Sequence, residues 1–575
     1  MPLLAVCGWA HGDEGRPNVL VIIADGMGWG DPGIHGNGGI TTPHLDALAE
    51  SGLRLERFHV CPSAAPTMAS LLTGRYHYRT GVSGDNRGEG ILHGHEITMA
   101  DCFGRAGYAT GLFGKWLHGS NWPHHPNARG FDTFFGSCDN PLSSDQDLEC
   151  ERDGVPLPTK GRITDVIADE AIAFMKARAD AGEPFLCVVP FHAPVLTSPV
   201  AGSPDGADSA KVMMESMDAN TGRLMACLKA GGVRENTIVW FLSNHGPDVP
   251  PGAKNPRYNG HLRGAKGSVH EGGVRVPSFV IWPGRIPAGS KFRRITAHLD
   301  LLPTLLGLCG IAPDDRSRMD GMNLSAALTS GGQPPRWPNR LLFTAWTPPG
   351  YAVGGASVAV RTDRWLALRD PVWRRGAPSE THSGWELYDL NADPHELTDL
   401  SDDYPFLLSD MRADFSRWMD ETTDDGLGPI PTEIGHDEWP TVTLRARDAV
   451  TPEGWATDPD RTGALTRWTD PAHAATWPVK VIGEGGRHAI EIEYTLPPQA
   501  TPCRMRLRLG DSMLDFTIDQ PAGPEPRRIR VGEMTLATGD GELRLQALDL
   551  KQQAIDFRRL WITRVEEAQK PALRD

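Results

Sequence analysis

Three apolar runs of strand length each hand over to residues that can do chemistry. Residues 19–24 end at Asp25, residues 185–190 deliver His192, and residues 237–242 lead into Asn244 and His245. A carboxylate and two imidazoles are groups that acid–base catalysis draws on, which makes Asp25, His192 and His245 the catalytic candidates. Lys115, in a Gly-Lys-Trp segment, and Lys266, in a glycine-rich one, could supply positive charge to an anion. Plainer readings stand beside these. Asp25 could cap a strand, Lys115 could be a solvated surface lysine, and a lone histidine after a strand is usually a satisfied polar residue.

The elements that must position these residues are legible in the pattern. Continuous apolar runs read as strands buried on both faces of a parallel sheet. Open sheets of that kind bind ligands at their carboxyl ends, where Asp25 falls. Between the strands lie helices: a short one over residues 42–49 with Pro43 near its start, another over 97–107, and one over 164–178. In the last, Ile167, Ala171, Phe174 and Met175 recur at helical spacing. Residues 69–75 read as an apolar helical turn closed by Gly74. The composition changes after residue 440. Residues 440–478, rich in Pro, Asp, Thr and Trp, read as a linker or entry strand. Short alternating runs at 488–494, 505–509 and 542–545 then suggest a β-sandwich.

At 575 residues the chain is too long for one ordinary core. Its formal net charge of −16 argues against nucleic acid, because no basic stripe is offered to phosphates. An anionic ligand must therefore be held by a local basic pocket. No apolar run approaches the length of a membrane span. Residues 2–10 could be the remnant of a signal h-region, though no basic segment precedes them. Nine cysteines are spread thinly without metal-type spacing; Cys138 and Cys150 are near enough for a loop disulfide, and buried free thiols are the equal alternative.

The stretch 59–75 contains Cys61-Pro62-Ser63-Ala64-Ala65-Pro66-Thr67-Met68 and then Thr73-Gly74-Arg75. It resembles the signature of the formylglycine sulfatases of the alkaline phosphatase superfamily. There, a cysteine that becomes an aldehyde opens Cys-x-Pro-x-Arg nine residues before the Thr-Gly-Arg threonine. In this frame Pro66 keeps its place, Ala64 takes the nucleophile position and Met68 the arginine position. Starting from Cys61 instead leaves Ser63 and Ala65 where proline and arginine belong. Ser63 is a neighbouring hydroxyl, whereas the methyl of Ala64 has no lone pair to attack with.

Further segments carry the resemblance from about residue 16 to 430. Asp25-Gly26 stands where the family has two calcium-binding aspartates. Gly114-Lys115-Trp116-Leu117-His118-Gly119 resembles Gly-Lys-Trp-His-Leu-Gly with two residues exchanged. His192-Ala193-Pro194 resembles His-x-Pro, and Ser243-Asn244-His245-Gly246 a metal-ligand segment. Residues 264–277 resemble the Lys-to-Glu-Gly-Gly-x-Arg-x-Pro segment, with Glu271 and Arg275 expected to form a structural ion pair. Asp393-Pro394-His395-Glu396 falls in a region resembling the family's smaller subdomain.

The resemblance implies an α/β fold. A large domain (16–340) would hold a mixed, mainly parallel sheet flanked by helices, followed by a small antiparallel α+β subdomain (341–440). A C-terminal β-sandwich (441–566) resembles carbohydrate-binding modules and could equally serve packing or dimerisation. Lys115, His192, Lys266 and His118 are the implied substrate-binding residues. Asp25, Asn244 and His245 are a vestigial metal set and Ala64 a vestigial nucleophile position, so no cofactor is expected and calcium should bind weakly or not at all. The expected ligand is a sulfated or otherwise anionic oligosaccharide, in a periplasmic or secreted setting, with homo-oligomerisation open. Formylglycine-dependent hydrolysis is expected to be lost. Enzyme status is left uncertain: not a formylglycine sulfatase, and either a binder, a glycosidase-like hydrolase with a reassigned pocket, or a sulfatase with an atypical nucleophile.

Overall fold

The computed structural model describes residues 15–85, 88–138, 145–194, 206–248, 257–347, 356–371, 384–424, 426–452, 464–468, 470–496, 502–519, 522–549 and 555–565. The amino-terminal residues 2–10 lie outside these.

The apolar run that ends at Asp25 becomes the strand Asn18–Asp25, buried along its whole length. It is hydrogen-bonded in parallel to Thr237–Ser243 on one side and Phe185–Pro194 on the other. Because side chains alternate across a strand, Val19, Val21 and Ile23 enter one core while Leu20, Ile22 and Ala24 enter the opposite one. Two apolar layers therefore clamp a single sheet. The helices Ala64–Thr73 and Leu301–Cys309 contribute to the first layer. The helices Pro43–Ser51 and Ile163–Ala181 contribute to the second.

The sheet has ten strands. Five adjacent ones run parallel: Thr237–Ser243, Asn18–Asp25, Phe185–Pro194, Ala109–Lys115 and Thr133–Ser137. Antiparallel strands extend it at both edges, on one side through the hairpin Glu149–Arg152 and Val155–Pro158. This is the mixed, mainly parallel α/β sheet expected from the sequence. Parallel strands share one carboxyl end, so Asp25, Lys115, His192 and Ser243 are gathered at one rim.

A four-stranded antiparallel sheet follows, from Leu342–Trp346 to Glu386–Asp389, with the helix Pro405–Thr423 sharing its core. Beyond it, two five-stranded sheets enclose one core that includes Trp468, Trp477, Ile490, Leu507, Leu545 and Ile562. Of the two readings of 440–478, linker or entry strand, the second fits: the stretch holds the strands Thr441–Arg445, Leu465–Trp468 and Ala474–Val481 of this sandwich. Pro478, at an outward position, interrupts the pattern of the last of them. Thr432–Ile434 pairs with Ala474–Val481, so sandwich pairing begins ahead of residue 441.

Candidate functional site

Asp25 ends its strand 2 % exposed. Its Oδ2 accepts a hydrogen bond from Lys115 Nζ at 2.6 Å. Lys115 reaches it because Ala109–Lys115 is one strand removed across Phe185–Pro194 and ends at the same rim. The Asn244 amide donates from Nδ2 to Asp25 Oδ1 at 2.9 Å, while its own Oδ1 accepts from the Gly26 N–H at 3.0 Å. That pair of bonds fixes which way the amide points, since a flipped amide would set NH₂ against N–H. Gly26 has φ 77°, a backbone state glycine takes without steric cost. His245 donates Nδ1–H to the Gly246 carbonyl, and its Nε2 lies 3.3 Å from Asp25 Oδ1, poorly aligned for a hydrogen bond. Burial alone would raise the Asp25 pKa. The Lys115 ammonium, followed by His245 and Lys266, overcomes this and holds the carboxyl well below its ordinary value.

His192 lies within the strand Phe185–Pro194, not after it as the sequence suggested. Burial, and then the charge of Lys115, push its pKa down to about 3 against the pull of Asp25. Its Nε2 is buried and finds no partner among the described residues. Lys266 is half-buried, with Nζ 3.4 Å from Asp248. Burial opposes its charge, while Asp248, Asp25 and Asp85 raise its pKa. The chain after it is tied to the 59–75 stretch, because Gly267 N–H donates to the Pro62 carbonyl.

That stretch builds the helix Ala64–Thr73, closed by Gly74 at φ 69°. Ser63 is its N-cap in extended conformation, and Ala64 opens the helix. Ser63 Oγ is buried and without a partner among the described residues. The Ala65 N–H, one residue on, donates to Asp85 Oδ1 at 2.7 Å. Met68, in the position of the family arginine, is core. Cys61 is buried against His298 Nε2 at 3.4 Å, and burial pushes its thiol pKa far up, so no thiolate forms there.

His118 does not join this group. It follows the strand in a loop, packs edge-on against Trp116 and donates Nδ1–H to the Gly90 carbonyl at 2.8 Å. The exchange of Leu117 and His118 sends the apolar side chain to the core layer and the imidazole to Gly90. Glu271 and Arg275 are indeed an ion pair at 3.8 Å, inside a buried set with His59 and Arg361. Cys138 and Cys150 form no disulfide, since they face opposite cores.

These residues do not fit a calcium ion. Calcium takes six to eight oxygens. Of Asp25, Asn244 and His245, Asp25 supplies the carboxylate, and it is already engaged by an ammonium and an amide NH₂, donors that compete with a cation for its oxygens. Among the described residues, His125, Cys138 and Glu151 are also within metal-binding reach. There the Asn127 N–H donates to His125 Nδ1, so Nε2 carries the proton toward Glu151 at 3.0 Å, and the Cys138 thiol donates to the same oxygen at 3.1 Å. Both are donors satisfying a carboxylate.

Two residues of this region give no signal in the sequence. Asp85 belongs to no motif, and its bond to Ala65 spans a loop with no periodic pattern. The donor role of Asn244 is invisible while the residue is counted as a lost acid.

Known proteins resemble this chain over most of its length. The family profile described as "Sulfatase" matches residues 17–311, and one described as "N-sulphoglucosamine sulphohydrolase, C-terminal" matches 264–421. Arylsulfatase G of Rattus norvegicus is 30% identical over 489 residues, spanning 74% of this chain and 90% of that protein. N-acetylgalactosamine-6-sulfatase of Canis lupus familiaris is 32% identical over 374 residues, covering 57% and 72%. The solved structure of Ps i-CgsB in complex with k-i-k-neocarrahexaose superposes with TM-score 0.63 at 27% identity, covering 72% of this chain and 94% of the other. One expectation is corrected by these relatives. From its missing catalytic groups the sequence leaves enzyme status uncertain, with no formylglycine sulfatase expected and another kind of glycan hydrolase open. Proteins that match most of its length are named sulfatases. Counting lost groups gives too little weight to the frame that is retained.

Proposed function

The chain belongs to the sulfatase family, and on that footing we propose that it acts on sulfated glycans by hydrolysing a sulfate ester without formylglycine. The observation that carries this is a set of unspent polar atoms. Ser63 Oγ and His192 Nε2 are buried without partners among the described residues, and the charge of Lys115 acts on both His192 and Asp25, with that of Lys266 acting on Asp25 as well. Leaving such groups unsatisfied costs about 1–3 kcal/mol each, and a sulfate ester offers them oxygens.

In this reading Lys115 and Lys266 hold the sulfate oxygens, each charge-assisted contact contributing about 1.5–3 kcal/mol. Neutral His192 hydrogen-bonds the sugar oxygen that departs. Ser63, at the start of a helix whose N-terminal amides favour negative charge, is the hydroxyl beside the position that Ala64 leaves inert. Ser63 Oγ attacks the sulfur as the bond from sulfur to the sugar oxygen breaks, and the serine hydroxyl proton passes to the departing sugar oxygen. Water then attacks the sulfur of the serine sulfate ester, the bond from sulfur to Ser63 Oγ breaks, and one proton of that water returns to Ser63 as hydrogen sulfate leaves. No calcium takes part. A periplasmic or secreted setting suits such substrates, and assembly into oligomers is not required by it.

The test is sulfate release from size-defined sulfated oligosaccharides, followed by ion chromatography and product mass. Wild-type protein should release sulfate, and Ser63→Ala should lose at least about 100-fold, the scale of one activated nucleophile. Tight binding with neither sulfate nor sugar released would overturn hydrolysis. Undiminished release by Ser63→Ala would overturn the assigned nucleophile.

A further inference from the structure

The sheet of the C-terminal sandwich that contains Thr441–Arg445 and Ile555–Arg564 has an unusual outer face. Its inner positions, Val442, Leu444, Leu560 and Ile562, are core. The alternate positions carry Thr443 opposite Trp561 and Arg445 opposite Arg559. On the neighbouring strands Glu493 stands opposite both Arg559 and Arg528. An outward sheet face of a free-standing sandwich would meet water. Here it meets the large domain, across a cavity of about 500 Å³.

The two walls differ in chemistry. The sandwich wall presents Trp561 with the Arg528 guanidinium 3.9 Å from its ring centre, and then Arg559. The facing wall is the hairpin Glu149–Arg152 and Val155–Pro158, with Glu438 and Trp439 beside it. It is acidic, and two of its carboxylates are already engaged, Glu151 by His125 and Cys138 and Asp153 by Asn127 and the Phe134 N–H. Gly154 turns that hairpin at φ 82°, and a Cβ there would run into the Trp439 ring, so glycine is what lets the indole close over the turn. The cavity also reaches Ser137, the register partner of Lys115. It therefore starts one strand away from the Asp25 group, at the same end of the sheet.

Building on the sulfated-glycan reading above, we infer that this cavity is a second saccharide subsite, taking the units of an anionic oligosaccharide that lie beyond the ester being cleaved. The volume suits one or two sugar rings, within the 300–1,000 Å³ range of small-molecule sites. Indole faces pack against the C–H faces of pyranosides, and planar guanidinium groups bind sulfate or carboxylate in bidentate fashion. Arg528 and Arg559 now sit on Glu491 at 2.8 Å and Glu493 at 3.5 Å, with 48% and 38% of their side chains exposed. Exposed pairs of that kind hold weakly, so a sulfate can replace the glutamate. Both family profiles end by residue 421, so this wall is an addition to what the family supplies.

The experiment compares two substrate lengths in the full chain. Arg528→Gln, Arg559→Gln and Trp561→Ala are assayed against carrageenan and chondroitin sulfate hexasaccharides and against a single sulfated monosaccharide. The expected result is a 10- to 100-fold rise in KM for hexasaccharides with kcat and monosaccharide turnover unchanged. Equal effects on both lengths, or none, overturn the subsite. Trp561→Ala could disturb the sandwich, so Arg528→Gln, at an exposed side chain, is the deciding variant. If the wild type turns over neither length, calorimetry with the same hexasaccharides decides: weaker binding by Arg528→Gln retains the subsite although the hydrolytic reading fails, and unchanged binding removes it.

Discussion

Among the buried carboxylates of this fold, Glu271 and Asp25 are held in opposite manners. Glu271 is 1 % exposed and is gripped by Arg361 at 3.0 Å, His59 at 3.1 Å and Arg275 at 3.8 Å. Arg361 is wholly buried and donates a further bond to the Val269 carbonyl. Asp25 is nearly as buried but is gripped by a lysine and an amide. Both acids are held well below their ordinary pKa although burial opposes this. A guanidinium locks a carboxylate with planar, directional bonds, whereas an ammonium is a point charge on a flexible stem that can turn to another anion. Low pKa alone thus fails to separate a structural acid from a functional one; the partner's stiffness does.

The largest expected effect tests the stiff side. Glu271→Ala leaves Arg361 charged and buried, which should cost about 3–5 kcal/mol of stability by denaturant melts. Glu271→Gln should recover part of it while leaving sulfated-ligand affinity intact. A Glu271 variant that stays stable but loses affinity would dissolve the contrast. Next, Lys115→Met should weaken binding of sulfated oligosaccharide by about 1.5–3 kcal/mol in calorimetry. Its stability loss should be the smaller of the two, because Asp25 can take up a proton. Unchanged affinity with a large drop in melting temperature would make Lys115 another structural partner.

Acid provides a finer test. A histidine whose folded pKa is depressed leaves stability intact above its unfolded pKa of about 6.5 and loses it as pH falls below that, because the unfolded chain takes up the proton first. His192, at about 3, follows this rule as pH falls from its unfolded value toward its folded one. His192→Asn should therefore flatten the fall of stability with acid by about 1.4 kcal/mol per pH unit over that window. His59→Asn should flatten it less, since Glu271 pulls against the burial that lowers the His59 pKa. The smallest expected effect is that of calcium. Millimolar calcium or its removal by chelator should leave the melting temperature within error, and a saturable rise would mean that Asp25 exchanges Lys115 for metal.

How much of this is readable in the sequence depends on the range of the interaction. The strand Asn18–Asp25 and its parallel neighbours follow from uninterrupted apolar runs, and so does the gathering of Asp25, Lys115 and His192 at one rim. The exchange of Leu117 and His118 is also visible, yet the motif frame still counts His118 among the substrate-binding residues, and only the fold shows it bonded to Gly90 instead. Partners across the fold do not announce themselves. That Lys115 rests on Asp25, and that Asp85 meets the start of the helix Ala64–Thr73, are contacts between segments 90 and 20 residues apart. In 440–478 the strand Ala474–Val481 is obscured by Pro478, a residue depleted in strands, whereas Thr441–Arg445 alternates openly.

The Asn244 amide also sets the order in which this site could change over generations or at an engineer's bench. Asn244→Asp alone removes the N–H donor from Asp25 and sets two carboxylates against one ammonium. A side chain at Gly26 alone must be carried at φ 77°. Either step taken singly lowers stability before any metal can compensate. The arrangement is therefore a local optimum, left only by several coupled substitutions at once, and single reversions toward the sulfatase motif should be the least informative variants to make.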